Sequence, residues 1–359
     1  WFRKACSDNP APIVTHMSTA DTARDMDLIR QAVGDSKLNY YGVSYGSYLG
    51  TSYASMFPNR VGHVVVDAVL DPVAWSTGTG RPPYEPFTAR IKSGRGAYEA
   101  MTTGLAECDK AGKARCAFAG GAAAKWAKLT SRAKAGHLQF MGEHLAYADL
   151  IAGTLGPLYG NDYTDLMRAL DQLYAENFEG RSDPAAARAA AELFATSAAD
   201  AQNPFTVPAP GLRRVSDAFA GVACADTRNP RDLASWSQAA RKQDKSYPGF
   251  ALRWIWLGAP CAGWPGAAMD DAYLGPFGGK TANPVLVIGN LYDPATPYQG
   301  AQRVARLFDT GRLLTVRQWG HGALYNTCAQ DAMARYFLDD KLPAAGATCR
   351  ANAPLYPGS

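Results

Sequence analysis

Apolar positions along the chain switch between two periods. In "STADTARDMDLIRQAVG" (18–34) Met26, Ile29 and Val33 recur at helical spacing behind Ser/Thr cap candidates, and Gly34 supplies a stop. The segment therefore reads as a helix with those three residues on its apolar face. "LNYYGV" (38–43) reads as a short strand. Gly46 to Phe57 follows as a helix with small residues toward its neighbours, closed by Pro58, and "VGHVVVDAV" (61–69) is a continuous apolar run of the kind buried on both faces of a sheet. Strand, helix and strand within about thirty residues predict a right-handed parallel crossover.

From about Ser76 to Val215 the pattern becomes that of alanine-rich helices, such as "YTDLMRALDQLYAENF" (163–178) and "DPAAARAAAELFATSAAD" (183–200), and no strand is expected. Strand signals return with "NPVLVIGN" (283–290). A helix from Tyr298 to Phe308, the strand "RLLTVRQ" (312–318) and a last helix near Ala329 to Leu338 complete the series. The predicted architecture is a mostly parallel α/β sheet built from residues 1–75 and 216–359, interrupted by a helical lid over 76–215.

Composition narrows the function classes. The 359 residues are 47% hydrophobic, enough for a large core, and the net charge of +4 is spread without blocks, which argues against a nucleic-acid or membrane-surface role. No apolar run approaches the roughly 18 residues of a membrane span. Seven cysteines include three pairs at loop-like spacings, Cys108 with Cys116, Cys224 with Cys261, and Cys328 with Cys349, leaving Cys6 over. That pattern points to an oxidising compartment and export, secreted or in the cell envelope; buried reduced cysteines of a cytosolic protein are the alternative. "WFRKACSDNP" lacks an apolar h-region and a cleavage pattern, so the chain reads as already processed at Trp1.

Two motifs are set aside. "LGPFGGKT" has Leu274 where a phosphate loop needs its first glycine, and no strand precedes it. His137 and His144 lack an HExxH pattern or a Cys/His cluster and read as lid surface, so neither a metal nor another cofactor is expected.

The strongest chemical signal is Gly42-Val43-Ser44-Tyr45-Gly46, a G-x-S-x-G match between a strand and a helix. A sharp turn there lifts the serine hydroxyl clear of the sheet, and flanking glycines avoid clashes. The hydroxyl needs a base, and the base an orienting acid. Between Lys280 and Phe308 the only acidic residue is Asp293, directly after a strand, and the only later histidine is His321, after the next strand. Ser44, Asp293 and His321 thus follow the order of a Ser–acid–His triad, with the Tyr45 backbone N–H as an oxyanion donor.

These residues carry a family resemblance. "GVSYGSYLGTSYASMFPNRVGHVVVDAVLDP", the preceding "THMSTADTARDMDLIRQAVG", "DPATP", "GHG" and the tail "CAQDAMARYFLDDKLPAAGATC" resemble the tripeptidyl aminopeptidase branch of the α/β-hydrolases, exported serine exopeptidases related to proline iminopeptidases. The resemblance implies an α/β-hydrolase fold, the triad Ser44, Asp293 and His321, and disulfides Cys224–Cys261 and Cys328–Cys349. Cys108–Cys116 is inferred from spacing alone. Relatives carry several strands and a glycine-rich loop with a second oxyanion donor ahead of the nucleophile, and Ser44 comes too early for them. An N-terminal fragment of the same precursor, bridged through Cys6, is therefore the expected partner beside a peptide or small acyl substrate. The expected activity is release of short peptides from free N-termini, with the substrate amine met by a lid carboxylate such as Glu143, Asp149, Asp162, Asp165 or Glu176; Asp226 reads as structural. An esterase or amidase acting on a small metabolite and a catalytically silent binding protein are the competing readings.

Overall fold

The computed structural model describes residues 13, 16–78, 84–202, 216–264 and 270–357. The chain divides into two compact units, one of residues 1–96 and 217–352, the other of 97–216 and 353–359.

The strands are β1 (Leu38–Val43), β2 (Val61–Asp67), β3 (Gln139–Phe140), β4 (Glu143–His144), β5 (Val285–Tyr292), β6 (Arg312–Trp319) and β7 (Thr348–Arg350). In the first unit five of them form a parallel sheet in the order β1-β2-β5-β6-β7. The apolar runs form strands there because both faces are covered. Val65, Leu286, Ile288 and Leu314 pack with Ala329, Met333 and Tyr336 of the helix Thr327–Asp339. Val64, Val66, Val285 and Val287 pack with Ala54, Ala301 and Val304 on the other side. Each such valine contributes roughly 1.5–3 kcal/mol of burial. This is the α/β-hydrolase arrangement, and the register aligns the carboxyl ends: Val43 lies opposite Asp67, Asp67 opposite Ile288, and Tyr292 opposite Trp319.

Helix α1 (Thr19–Ala32) starts where the sequence places it, with Ser18 accepting a hydrogen bond from the Asp21 N–H. Its buried face is not the expected one. Ile29 and Val33 are 62% and 66% exposed, as is Leu28 at 62%, whereas Ala20, Ala23, Asp27 and Arg30 are buried. The cause is a charge network: Asp27 accepts from Arg30 Nε at 2.9 Å, from the Tyr53 hydroxyl at 3.1 Å and from Gln31 at 2.8 Å, and pairs with Arg60. Buried ions must be satisfied together, so the network fixes the helix rotation while small alanines fill the contact.

Helix α2 (Tyr45–Met56) buries Ser47, Gly50, Thr51, Ser52 and Ala54, the small residues that let it lie close to β1. The first unit continues past the composition change at 76. Ser93 Oγ donates to the Ala295 carbonyl at 2.5 Å, and a Cβ on Gly96 would fall 2.6 Å from the Asp293 carbonyl oxygen, so the start of the helix Ser93–Ala111 packs on the acid-bearing loop.

The second unit is helical, as its alanine-rich texture predicts, with one departure. β3 and β4 pair as a minimal antiparallel hairpin through Gln139–His144 and Phe140–Glu143, turned by Met141 and Gly142 at positive φ. Two residues per strand leave no period to detect in sequence. Among the described residues no helix is long and apolar enough to cross a membrane.

Candidate active site

Ser44 stands between β1 and α2 with φ 58° and ψ −123°, a conformation that a non-glycine residue holds only under constraint. The constraint is visible. Its N–H donates to the Asp67 carbonyl at 3.0 Å, and its own carbonyl accepts the Ser47 N–H at 2.9 Å and the Ser47 hydroxyl. Gly42 is required because a Cβ there would lie 2.3 Å from the Gly46 carbonyl oxygen, a backbone atom unable to yield. Gly46 is less constrained: a Cβ would meet only the Tyr40 hydroxyl at 3.3 Å. The half-buried Ser44 heads helix α2, whose first N–H groups carry positive partial charge.

Asp293 follows β5 directly and is buried. Its Oδ1 accepts the Ala295 and Thr296 N–H groups, both at 2.8 Å, which fixes the carboxylate in its turn. His321 Nδ1 lies 2.9 and 3.0 Å from the two carboxylate oxygens, so Nδ1–H donates to Asp293 and Nε2 is left as the basic nitrogen. Burial presses the imidazole toward neutrality. The Asp293 charge and hydrogen bond, with a further contribution from Asp67, prevail and raise its pKa above the ordinary 6.5.

His321 sits between Gly320 and Gly322, both at positive φ, just past β6. The buried Asn290 of β5 donates to the Gly320 and Gly322 carbonyls at 2.9 and 2.7 Å, Gln318 donates to the Gly322 carbonyl at 3.1 Å, and the Ala323 N–H donates to Asp67 Oδ2 at 2.7 Å. The loop reaches the serine turn: a Cβ on Gly322 would stand 3.2 Å from Val43 Cγ1. The segments bearing Ser44, Asp293 and His321 are thereby gathered at the carboxyl ends of β1, β5 and β6.

The Tyr45 side chain is anchored at its hydroxyl. Its hydroxyl meets Thr19 Oγ1, which donates to Asp226 Oδ2 at 2.6 Å, while the Thr19 N–H donates to Oδ1 at 2.7 Å and Trp75 Nε1 to Oδ2 at 3.4 Å. Asp226 is wholly enclosed, and burial raises its pKa to about 7 despite these donors. Cys224, two residues earlier, is bonded to Cys261. Cys328 is bonded to Cys349, and in the second unit Cys108 to Cys116. Cys6 lies outside the described residues. Of the lid carboxylates, Glu143, Asp149, Asp162 and Asp165 are exposed; Glu176 is half-buried, and its Oε2 has no hydrogen-bond partner among the described residues.

Sequence reasoning missed two residues of the site, Asp67 and Asn290. Asp67 closes β2 and Asn290 stands two residues before the end of β5; a polar residue breaking an apolar run near the carboxyl end of a strand is the signal available in sequence.

A family profile described as TAP-like protein matches residues 247–349, and one described as alpha/beta hydrolase fold matches residues 4–84. A tripeptidyl aminopeptidase of Streptomyces lividans is 29% identical over 99% of this chain and 62% of its own length. Serine protease Hip1 of Mycobacterium tuberculosis is 26% identical over 94% of this chain and 62% of its own length; carboxylesterase B of the same species is 29% identical over 94% and 61%. The chain thus spans less than two thirds of the relatives it matches.

Proposed function

Because the chain belongs to the tripeptidyl aminopeptidase-like branch of the α/β-hydrolases, we propose that it is a serine peptidase in which Ser44, His321 and Asp293 act as nucleophile, base and orienting acid. The observation that carries the reading is the Asp293–His321 contact of 2.9 Å, made by a loop that also packs against the residue preceding Ser44. His321 Nε2 takes the proton as Ser44 Oγ attacks the scissile carbonyl, and Asp293 stabilises the imidazolium. The Tyr45 N–H receives the developing oxyanion, a contact worth roughly 3 kcal/mol. Protonated His321 then delivers its proton to the departing amine, and water, activated by the same base, releases the acyl group.

The finer reading is an exported aminopeptidase that frees short peptides from free N-termini. The named activities of the relatives and the three disulfides support it. A further segment of the same precursor is the partner we assign, as β1 pairs only with β2 among the described residues and Leu28, Ile29 and Val33 leave an apolar face on α1. N-terminal sequencing of every co-purifying band identifies such a segment; a single active species of 38.3 kDa refutes it.

A second reading, an esterase, is favoured by the relative named carboxylesterase B. A fluorophosphonate probe is expected to label Ser44, and Ser44→Ala to lower turnover more than a hundredfold with the fold intact. Peptide anilides with free N-termini should be cleaved and their acetylated forms spared; equal cleavage of both selects the esterase or amidase reading, and an unlabelled Ser44 removes both. Since the pKa of His321 is raised, kcat/KM should climb with pH through values above 6.5, which a pH–rate profile measures.

A further inference from the structure

Asp67 is the last residue of β2 and is fully buried, an acid closing the run "HVVV". Burying a carboxylate at the end of an apolar strand is costly unless its oxygens are satisfied. Here three donors satisfy them, two of them from other elements. Oδ2 accepts the Ala323 N–H at 2.7 Å from the histidine loop and the Tyr41 hydroxyl at 3.1 Å from β1, and Oδ1 accepts the Ala68 N–H at 2.7 Å. The main-chain carbonyl of the same residue accepts the Ser44 N–H at 3.0 Å. One residue therefore ties the turn bearing the serine to the loop bearing the histidine. The three donors also select a carboxylate over its isostere, because an asparagine would turn an NH2 group toward at least one of them.

We propose that Asp67 is a second acidic positioning residue of the hydrolytic site, which locks the His321 loop against the Ser44 turn and adds its negative charge to that of Asp293 behind the imidazole. The inference rests on the reading that Ser44 and His321 react together, and it goes beyond the triad by giving the base two carboxylates with different tasks. Asp293 touches the ring and sets its tautomer. Asp67 holds the loop main chain and acts on the ring only through its charge, which stabilises the imidazolium formed as the serine loses its proton.

Asp293 and Asp67 both act electrostatically on His321, and Tyr41 and Asp293 act on Asp67. Both carboxylates draw the imidazole upward in pKa. Burial and the neighbouring Asp293 raise Asp67 itself, while its donors oppose that rise. A residue that served packing alone would leave the titration of the base unmoved when its charge was removed.

The test is the pH dependence of kcat/KM for wild type, Asp67→Asn and Tyr41→Phe, on a peptide anilide that the wild type cleaves, alongside fluorophosphonate labelling of Ser44. Asp67→Asn is expected to lose roughly ten- to hundredfold in kcat/KM at neutral pH through loop misplacement. Its acid limb should also move to lower pH, since one negative charge behind the imidazole is gone. Tyr41→Phe withdraws the donor that favours the ionised form of Asp67, so the carboxyl group takes up its proton at higher pH and the limb should move the same way by less; it decides the matter if Asp67→Asn does not fold. An acid limb that stays in place in every folded variant overturns the proposal, whatever the loss in kcat/KM. A wild type that neither labels at Ser44 nor cleaves the anilide overturns the triad itself, a separate outcome.

Discussion

At the scale of single residues, the site is governed by which polar groups the fold encloses. Asp226 is the clearest case: through Thr19 it holds the side chain of Tyr45, whose N–H is the assigned oxyanion donor. Its folded-state pKa of about 7 stands above the ordinary 3.8, so the folded protein holds this proton more tightly than the unfolded chain. The stability it contributes is complete below about pH 4 and is lost as the pH rises through 7, to a limit on the order of 4 kcal/mol. Asp226→Asn cannot ionise. The variant should start lower, because its amide opposes the Thr19 donors, but its melting temperature should fall less than that of wild type between pH 5 and pH 8. Parallel Tm curves across that range would show that Asp226 does not titrate there.

At the scale of elements, α1 shows how a correct boundary can accompany a wrong face. Cap, period and stop in 18–34 specify a helix, but periodicity weighs only apolarity, and the rotation was set by the ion network of Asp27, Arg30, Arg60 and the Tyr53 hydroxyl. Leu28→Gln and Val33→Gln should therefore change the stability of this chain by no more than about 0.5 kcal/mol. Asp27→Ala, which strands Arg30, should lower Tm by more than about 5 °C; the reverse ranking in a thermal melt would restore the apolar-face reading. The same logic explains what sequence exposed of the sheet and site. β2 and β5 were legible because burial on both faces writes a nearly continuous apolar run, β1 and β6 because short strand-forming runs stand between turn signals, and Ser44, Asp293 and His321 were singled out as candidates by turn glycines and chain order. β7 and the β3–β4 hairpin were not, having too few residues for a period. Asp67 stayed hidden inside a strand signal, since its role depends on Ala323, 256 positions away.

At the scale of the whole molecule, the cross-links follow the division into units. Cys224–Cys261 and Cys328–Cys349 both lie in the first unit and Cys108–Cys116 in the second. With sequence separations of 37, 21 and 8, loop-closure entropy ranks their stabilisation at about 4, 3 and 2.5 kcal/mol. Activity should rank otherwise. Cys328–Cys349 fastens the helix Thr327–Asp339 to β7, beside Asn326, which donates to the Arg350 carbonyl at 2.8 Å and to Gln318 at 2.9 Å; Gln318 in turn donates to the histidine loop at Gly322. Removing that bond loosens the far support of the base, whereas removing Cys108–Cys116 loosens a turn of the helical unit. Paired cysteine-to-alanine variants should therefore separate the two effects: Cys224/Cys261 loses the most in denaturant midpoint, Cys328/Cys349 loses several-fold in kcat, and Cys108/Cys116 keeps kcat within about twofold. If kcat simply tracked the loss of midpoint across the three, the disulfide beside the histidine loop would have no special hold on the base, and chain entropy alone would account for all of them.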